Sequence, residues 1–142
     1  MQAGPIDPLC VPSHMTVREV MILMKQHNTG CVLVCHHREL VGIFTQRDVL
    51  RLLATEADLG VPIESEMAHP PVTLRSDDTV ATAVARMTSG GYRHLPIVDG
   101  SGQPVGLLKV RGIVHFLVDH IPKTIYNLPP QPGVATHDRE GA

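Results

Sequence analysis

The stretch Val41-Gly42-Ile43-Phe44-Thr45-Gln46-Arg47-Asp48-Val49-Leu50 decides how the rest of the chain is read. Val41 to Phe44 is apolar and partly β-branched, the composition of the end of a buried strand. Thr45 stands where a helix N-cap belongs, and Val49, Leu50, Leu52 and Leu53 supply the apolar positions of the helix that follows. A strand running into a helix N-terminus presents unpaired backbone N–H groups, and Asp48 adds a carboxylate in the first turn. Such a junction suits the phosphate and ribose of a nucleotide.

Working outward, Leu40 to Phe44 reads as the second arm of a hairpin. Its partner is the apolar strand Cys31 to Cys35, joined through a turn at His36-His37-Arg38-Glu39. Upstream, Val17, Val20, Met21 and Met24 follow the i, i+3, i+4, i+7 spacing of a helix face, and Asn28-Thr29-Gly30 ends that helix. Cys10-Val11-Pro12 is a short extended piece behind a loose arm over residues 1–9, and the helix from about Gln46 to Ala57 closes the unit.

The same order then recurs. Pro71-Val72-Thr73-Leu74 is extended, Asp77 or Asp78 is the expected N-cap, and Val80, Ala83, Val84 and Met87 repeat the helix face 63 positions on. His94 to Val98 is a strand, Asp99-Gly100-Ser101-Gly102 a turn, and Val105 to Leu108 the partner strand. Gly42 maps onto Gly106 with an offset of 64, so one residue is inserted, expected between the helix and the strand. The chain reads as an α+β protein, two β-α-β-β-α repeats related by a pseudo-two-fold axis. The boundaries are an arm over 1–9, repeat 1 over 10–59, a linker over 60–70, repeat 2 over 71–121 and a tail over 122–142.

In this arrangement the unit resembles a cystathionine-β-synthase (CBS) domain, and the pair resembles the tandem CBS, or Bateman, module. The residues that carry the resemblance are Gly42-Ile-Phe-Thr-Gln-Arg-Asp48, Tyr92-Arg-His-Leu-Pro-Ile-Val-Asp99 and Glu66-Met-Ala-His-Pro-Pro-Val-Thr73. The match covers roughly residues 10–120 and leaves no catalytic domain over. It implies that Asp48 accepts hydrogen bonds from both ribose hydroxyls of an adenosine derivative and that Thr45 contacts ribose or phosphate. It also implies that the backbone of Pro71, Val72 and Thr73 reads the adenine edge, and that Arg93 and His94 reach phosphates.

Each of these residues has a plainer reading. Thr45-x-x-Asp48 is close to a capping box, and an acid in a first turn is favoured by the helix dipole. Arg93 can be a solvated surface residue and His94 a satisfied strand-edge histidine. The second repeat has Lys109-Val-Arg-Gly112 where the first has Thr45 to Asp48, with neither cap nor acid, so the cleft headed by Gly112 is expected to be empty or altered. Lys109 is a phosphate ligand of that cleft or a surface lysine.

Composition narrows the rest. The 142 residues are 43% hydrophobic and 18% charged, with a net charge of −2, so no basic field invites nucleic acid. The absence of Trp, with two Tyr and two Phe, leaves no base-stacking platform. No apolar run approaches the roughly 20 residues of a membrane span, and the start lacks a signal-peptide pattern, so the cytoplasm is the default location. Cys31 and Cys35 lie on one strand face about 13 Å apart at ~3.3 Å per residue, too far to share one ion, so no metal site is expected from Cys31, Cys35, His36 and His37. No nucleophile has a supporting base and acid at recognisable spacing.

The expected protein is therefore no enzyme and needs no cofactor. It is a regulatory homodimer that binds AMP, ADP, ATP or S-adenosylmethionine between its repeats and passes occupancy to an unidentified protein partner. The helices beginning near Gln46 and Val110 are the dimer surfaces by family analogy. Two other readings stay open: an interaction module with a vestigial cleft, and a thiol- or metal-responsive protein using Cys31, Cys35 and the histidines.

Overall fold

A computed structural model describes residues 7–119. The loose arm expected over residues 1–9 is described only from Asp7 onward, and the tail expected over 122–142 lies outside the described residues.

The first repeat runs β1 (Cys10–Pro12), α1 (Val17–Gln26), β2 (Cys31–His36), β3 (Glu39–Thr45) and α2 (Gln46–Ala54). The second runs β4 (Leu74–Arg75), α3 (Val80–Gly90), β5 (His94–Val98), β6 (Pro104–Lys109) and α4 (Val110–Asp119). Each repeat makes its own three-stranded sheet, β1-β2-β3 and β4-β5-β6. In both, the first strand pairs parallel with the second and the second antiparallel with the third. The parallel pair needs a crossover, and α1 and α3 supply it.

Helix α1 starts at Thr16, whose hydroxyl accepts from Glu19 N–H at 3.2 Å while Glu19 Oε1 accepts from Thr16 N–H at 3.0 Å, a closed capping box. Helix α3 is capped by Thr79, which accepts from Thr82 N–H at 3.1 Å. The expected caps Asp77 and Asp78 lie just upstream, and Asp78 instead accepts from Arg75 N–H at 2.8 Å, closing the turn into the helix. Val17, Val20 and Met24 of α1 are buried, but of their counterparts only Ala83 and Met87 are, with Val80 left exposed.

The central strand β2 is apolar on both faces because both faces are covered. Val32 and Val34 pack with Val17, Val20, Phe44 and Leu52 under the helices of repeat 1. Cys31 and Leu33 face the other way and, with Leu40, pack on Val98 and Leu107 of repeat 2. This second cluster joins the repeats.

The hairpins correct the position of the inserted residue. Val34 faces Gly42 and Ile97 faces Gly106, an offset of 63 on one arm and 64 on the other. The extra residue therefore sits in the turn of the second hairpin, between Val98 and Pro104, and not between helix and strand. Both hairpins carry a bulge at the equivalent step, Val34/Cys35 and Ile97/Val98. Helix α2 also stops at Ala54, three residues short of the expected end, with Glu56 at φ 54°.

Candidate functional site

Asp48 enters the first turn of α2 because Thr45 ends β3 and leaves the strand for the helix. Its carboxylate is half-buried, with 18% of the side chain exposed. Oδ2 accepts from the Thr45 N–H at 2.9 Å and from its hydroxyl at 3.3 Å. Oδ1 lies 3.5 Å from Arg51 Nη2. Arg51 also donates to the Glu66 carbonyl at 3.2 Å and lies 3.5 Å from its carboxylate, so α2 is tied to the segment between the repeats.

That segment is strapped onto β3. Ile43 N–H donates to the Ala68 carbonyl at 3.1 Å, and Ala68 N–H returns a bond at 2.9 Å. Gly42 is the contact point, because a Cβ there would collide with the Met67 side chain. Beyond the strap, Pro71, Val72 and Thr73 are half-buried, and Val72 packs on the core of repeat 2. The Thr73 carbonyl accepts from Arg86 Nη1 at 2.6 Å, and the same nitrogen lies 3.2 Å from Asp78 Oδ2. Arg86 thus anchors the opening stretch of repeat 2, a role that sequence spacing does not reveal.

Arg93 is exposed and its carbonyl accepts from Val110 N–H at 2.9 Å. His94 is half-buried and pairs across the hairpin with Lys109. Burial, then the Lys109 ammonium and the Arg93 guanidinium, holds His94 below its ordinary pKa. Cys31, the counterpart of His94, is buried, and burial pushes its thiol up to about 12. Two smaller influences act on it: Lys109 draws it down and Asp48 pushes it up. Lys109 of repeat 2 and Asp48 of repeat 1 thus both lie near enough to Cys31 to act on it electrostatically.

Two open cavities lie elsewhere. One of about 490 Å³ is lined by Met21, Met24, Lys25, Gln46, Val49 and Leu50 between α1 and α2. The other, of about 420 Å³, lies at the hairpin turns among Cys10, Pro12, Cys35, His37, Arg38 and Gln103. Neither is lined by any of the expected ligand residues. In the second, the Cys35 thiol hydrogen-bonds with Cys10, and burial pushes the Cys35 thiol up to about 12. The partner of Cys35 is thus Cys10, on the adjacent strand, and Cys31 stands apart in the core. Among the described residues no group of three or more His, Cys, Asp or Glu could hold a metal ion, and no helix is long and apolar enough to cross a membrane.

Comparison with known proteins finds relatives by sequence and by fold. An uncharacterized 17.7 kDa protein of Acidianus ambivalens is 32% identical over 110 residues, which cover 77% of this chain and 66% of that one. The matched segment spans 52% and 32% of two further curated relatives. A CBS domain protein from Pyrobaculum aerophilum, solved complexed with AMP, superposes with a TM-score of 0.74 at 25% identity, covering 82% of this chain and 95% of that one. A CBS domain pair solved with 5′-methylthioadenosine and S-adenosyl-L-methionine shares the fold, with a TM-score of 0.73 at 23% identity over 82% of this chain and 92% of that one. The CBS domain model matches twice, over residues 3–55 and 61–119. Two matches, each covering one of the structural repeats, make the chain a tandem member of the CBS domain family.

Proposed function

We propose that the protein is a non-catalytic regulatory module that binds an adenosine-containing ligand between its two repeats. Thr45 and Asp48 hold the ribose side, the backbone of Pro71, Val72 and Thr73 reads the adenine edge, and Arg93 and His94 lie toward the phosphates. The single observation that carries this reading is the state of Asp48. Its capping bonds occupy Oδ2, while Oδ1 has only Arg51 at 3.5 Å, so an oxygen remains for a diol at a partly exposed helix start. The AMP bound to the Pyrobaculum relative lends chemical precedent.

The signal passes through a homodimer. Helices α1 and α2 leave Ile22, Leu50 and Leu53 exposed, and α3 and α4 leave Val84, Val114 and Leu117 exposed, an apolar surface that a second copy would cover. A ligand that favours one relative placement of the repeats shifts the dimer and is sensed by a partner protein.

A thermal-shift panel of AMP, ADP, ATP, S-adenosylmethionine, NAD and guanine nucleotides on wild type and Asp48→Ala tests the reading. A ligand at 100 times its dissociation constant adds about 2.7 kcal/mol of stability, which is readily seen. A shift for an adenosine ligand that disappears in Asp48→Ala supports the sensor. Indifference to all six ligands removes it and leaves the protein-interaction module.

A further inference from the structure

The two hairpins meet at their turns. Leu40 N–H of repeat 1 donates to the Gly102 carbonyl of repeat 2 at 3.0 Å, and a Cβ on Gly102 would meet the Glu39 side chain at 3.1 Å. The cavity of about 420 Å³ opens along this seam, with Cys10, Cys35 and Arg38 from repeat 1 and Gln103 and Pro104 from repeat 2. Cys31 faces Thr45 at one end of the β2–β3 hairpin, and His36 faces Glu39 at the other. A site at the turn is therefore at the far end of that hairpin from Asp48 and independent of the nucleotide reading.

Two thiols meet in this cavity. In the parallel pair β1–β2, Cys10 faces Leu33 and Cys35 faces Pro12. Side chains alternate along a strand, so Cys10 shares with Leu33 and Cys35 the face turned toward repeat 2. The two thiols hydrogen-bond with each other. The cysteines are nonetheless two residues out of register, which at ~3.3 Å per residue and ~4.8 Å between strands sets their Cα atoms about 8 Å apart. A disulfide needs Cα atoms within about 7 Å, so closing one would require the strands to shift. A bridging cation does not, because two metal–thiolate bonds of roughly 2.3 Å each allow sulfurs up to roughly 4.6 Å apart.

The ligand set selects the cation. Structural zinc takes four protein ligands, and among the described residues no group of three or more His, Cys, Asp or Glu could hold a metal ion. Two thiolates alone satisfy a soft cation that accepts linear coordination, and thiolate sulfur favours Cu(I). Burial raises the Cys10 thiol and pushes the Cys35 thiol up to about 12, which slows attack on oxidants. A coordinated metal instead displaces the thiol protons outright. The Cu(I) bis-thiolate carries one net negative charge, and the Arg38 guanidinium on the cavity wall compensates it.

We propose that Cys10 and Cys35 form a two-coordinate site for one Cu(I) ion at the seam between the repeats. Each thiol releases its proton to solvent and each sulfur donates an electron pair to copper, with no change of oxidation state. The site uses Cys10 on the neighbouring strand, and Cys31 takes no part.

Anaerobic titration of the full chain with Cu(I), in competition with bathocuproine disulfonate, tests this on wild type, Cys10→Ser, Cys35→Ser, Cys31→Ser and Arg38→Met. Wild type is expected to hold one copper per chain, with two sulfur neighbours by X-ray absorption and an affinity that rises with pH. Cys10→Ser and Cys35→Ser each weaken binding by at least about 100-fold, while Arg38→Met, which only supports the ligands, costs about 10-fold. Cys31→Ser leaves the affinity unchanged. Loss of copper in Cys31→Ser with retention in Cys10→Ser overturns the proposal. Half a copper per chain, indifferent to Cys35→Ser, also overturns it by placing the ion between Cys10 residues of two copies. No copper retained against the chelator overturns it as well, and a Cys10–Cys35 cross-linked peptide after peroxide treatment would then identify a redox pair instead. Melting temperatures identify a folding defect in Cys35→Ser, and Cys10→Ser, at an exposed position, then carries the comparison.

Discussion

The Thr45 backbone N–H donates to Asp48 Oδ2 at 2.9 Å, and the Thr45 hydroxyl donates to the same oxygen at 3.3 Å. One oxygen of Asp48 therefore starts helix α2, and the other lies 3.5 Å from Arg51 Nη2. A cap and a ligand contact do not exclude each other, because a carboxylate carries two acceptor oxygens. Thr45-x-x-Asp48 could be read either way from spacing alone, and the geometry accommodates both.

A consequence for stability follows from the cap. Without any nucleotide, Asp48→Ala is expected to lower the unfolding free energy by about 1 kcal/mol, the usual worth of a helix cap. Urea unfolding followed by circular dichroism measures it. An unchanged midpoint and slope would show that the bonds at Oδ2 contribute nothing net.

Arg86 holds the Thr73 carbonyl at 2.6 Å and Asp78 at 3.2 Å. Its ion pair is partly exposed and so contributes little, but the bond to a half-buried carbonyl contributes more. Arg86→Met should cost about 1–2 kcal/mol. Faster amide hydrogen exchange over residues 72–75 should accompany it, with weaker binding of any ligand that reads that backbone. Wild-type exchange rates there, in a folded Arg86→Met, would separate Arg86 from the segment.

The three cysteines should differ in reactivity. Cys10 is exposed, Cys35 is half-buried with its thiol pushed up to about 12, and Cys31 is buried with its thiol also pushed up to about 12. Thiolate, not thiol, reacts. Iodoacetamide followed by peptide mass spectrometry should therefore label Cys10 first, Cys35 slowly and Cys31 only on unfolding. Early labelling of Cys31 in the folded protein would contradict the inter-repeat packing of Cys31 against Leu107.

His94 gives a pH dependence with a definite sign. Burial, helped by Lys109 and Arg93, lowers its folded pKa below the unfolded value of 6.5. The unfolded chain then binds more protons between the two values, so stability is full above about pH 6.5 and declines as pH falls through the folded pKa. Melting temperatures from pH 7.5 to 5 should fall more steeply for wild type than for His94→Gln. Parallel curves would show that the half-buried ring titrates as freely in the fold as in the unfolded chain.

Much of the architecture was legible because it rests on local periodicity. The strand Cys31 to Cys35, the helix face of Val17, Val20 and Met24, and the hairpin His94 to Lys109 follow from alternation and i, i+3, i+4 spacing. The repeat itself follows from an offset that any reader can count. The misplaced insertion shows where counting stops, since the extra residue in the Asp99–Gln103 turn is located only by knowing which residues face each other. Thr79 capped α3 in place of two better-looking aspartates because Asp78 was already engaged with Arg75 and Arg86.

The sequence by itself determined the duplicated β-α-β-β-α order, the paired sheets and the acid at the head of α2, because each of these is a matter of residues near one another in the chain. Only the tertiary structure decided which surfaces meet. β2 is apolar at every position from Cys31 to Val34, so its composition cannot say which face turns to the helices and which to the other repeat. Packing resolves that choice, setting Leu33 against Leu107 and Met67 against Gly42.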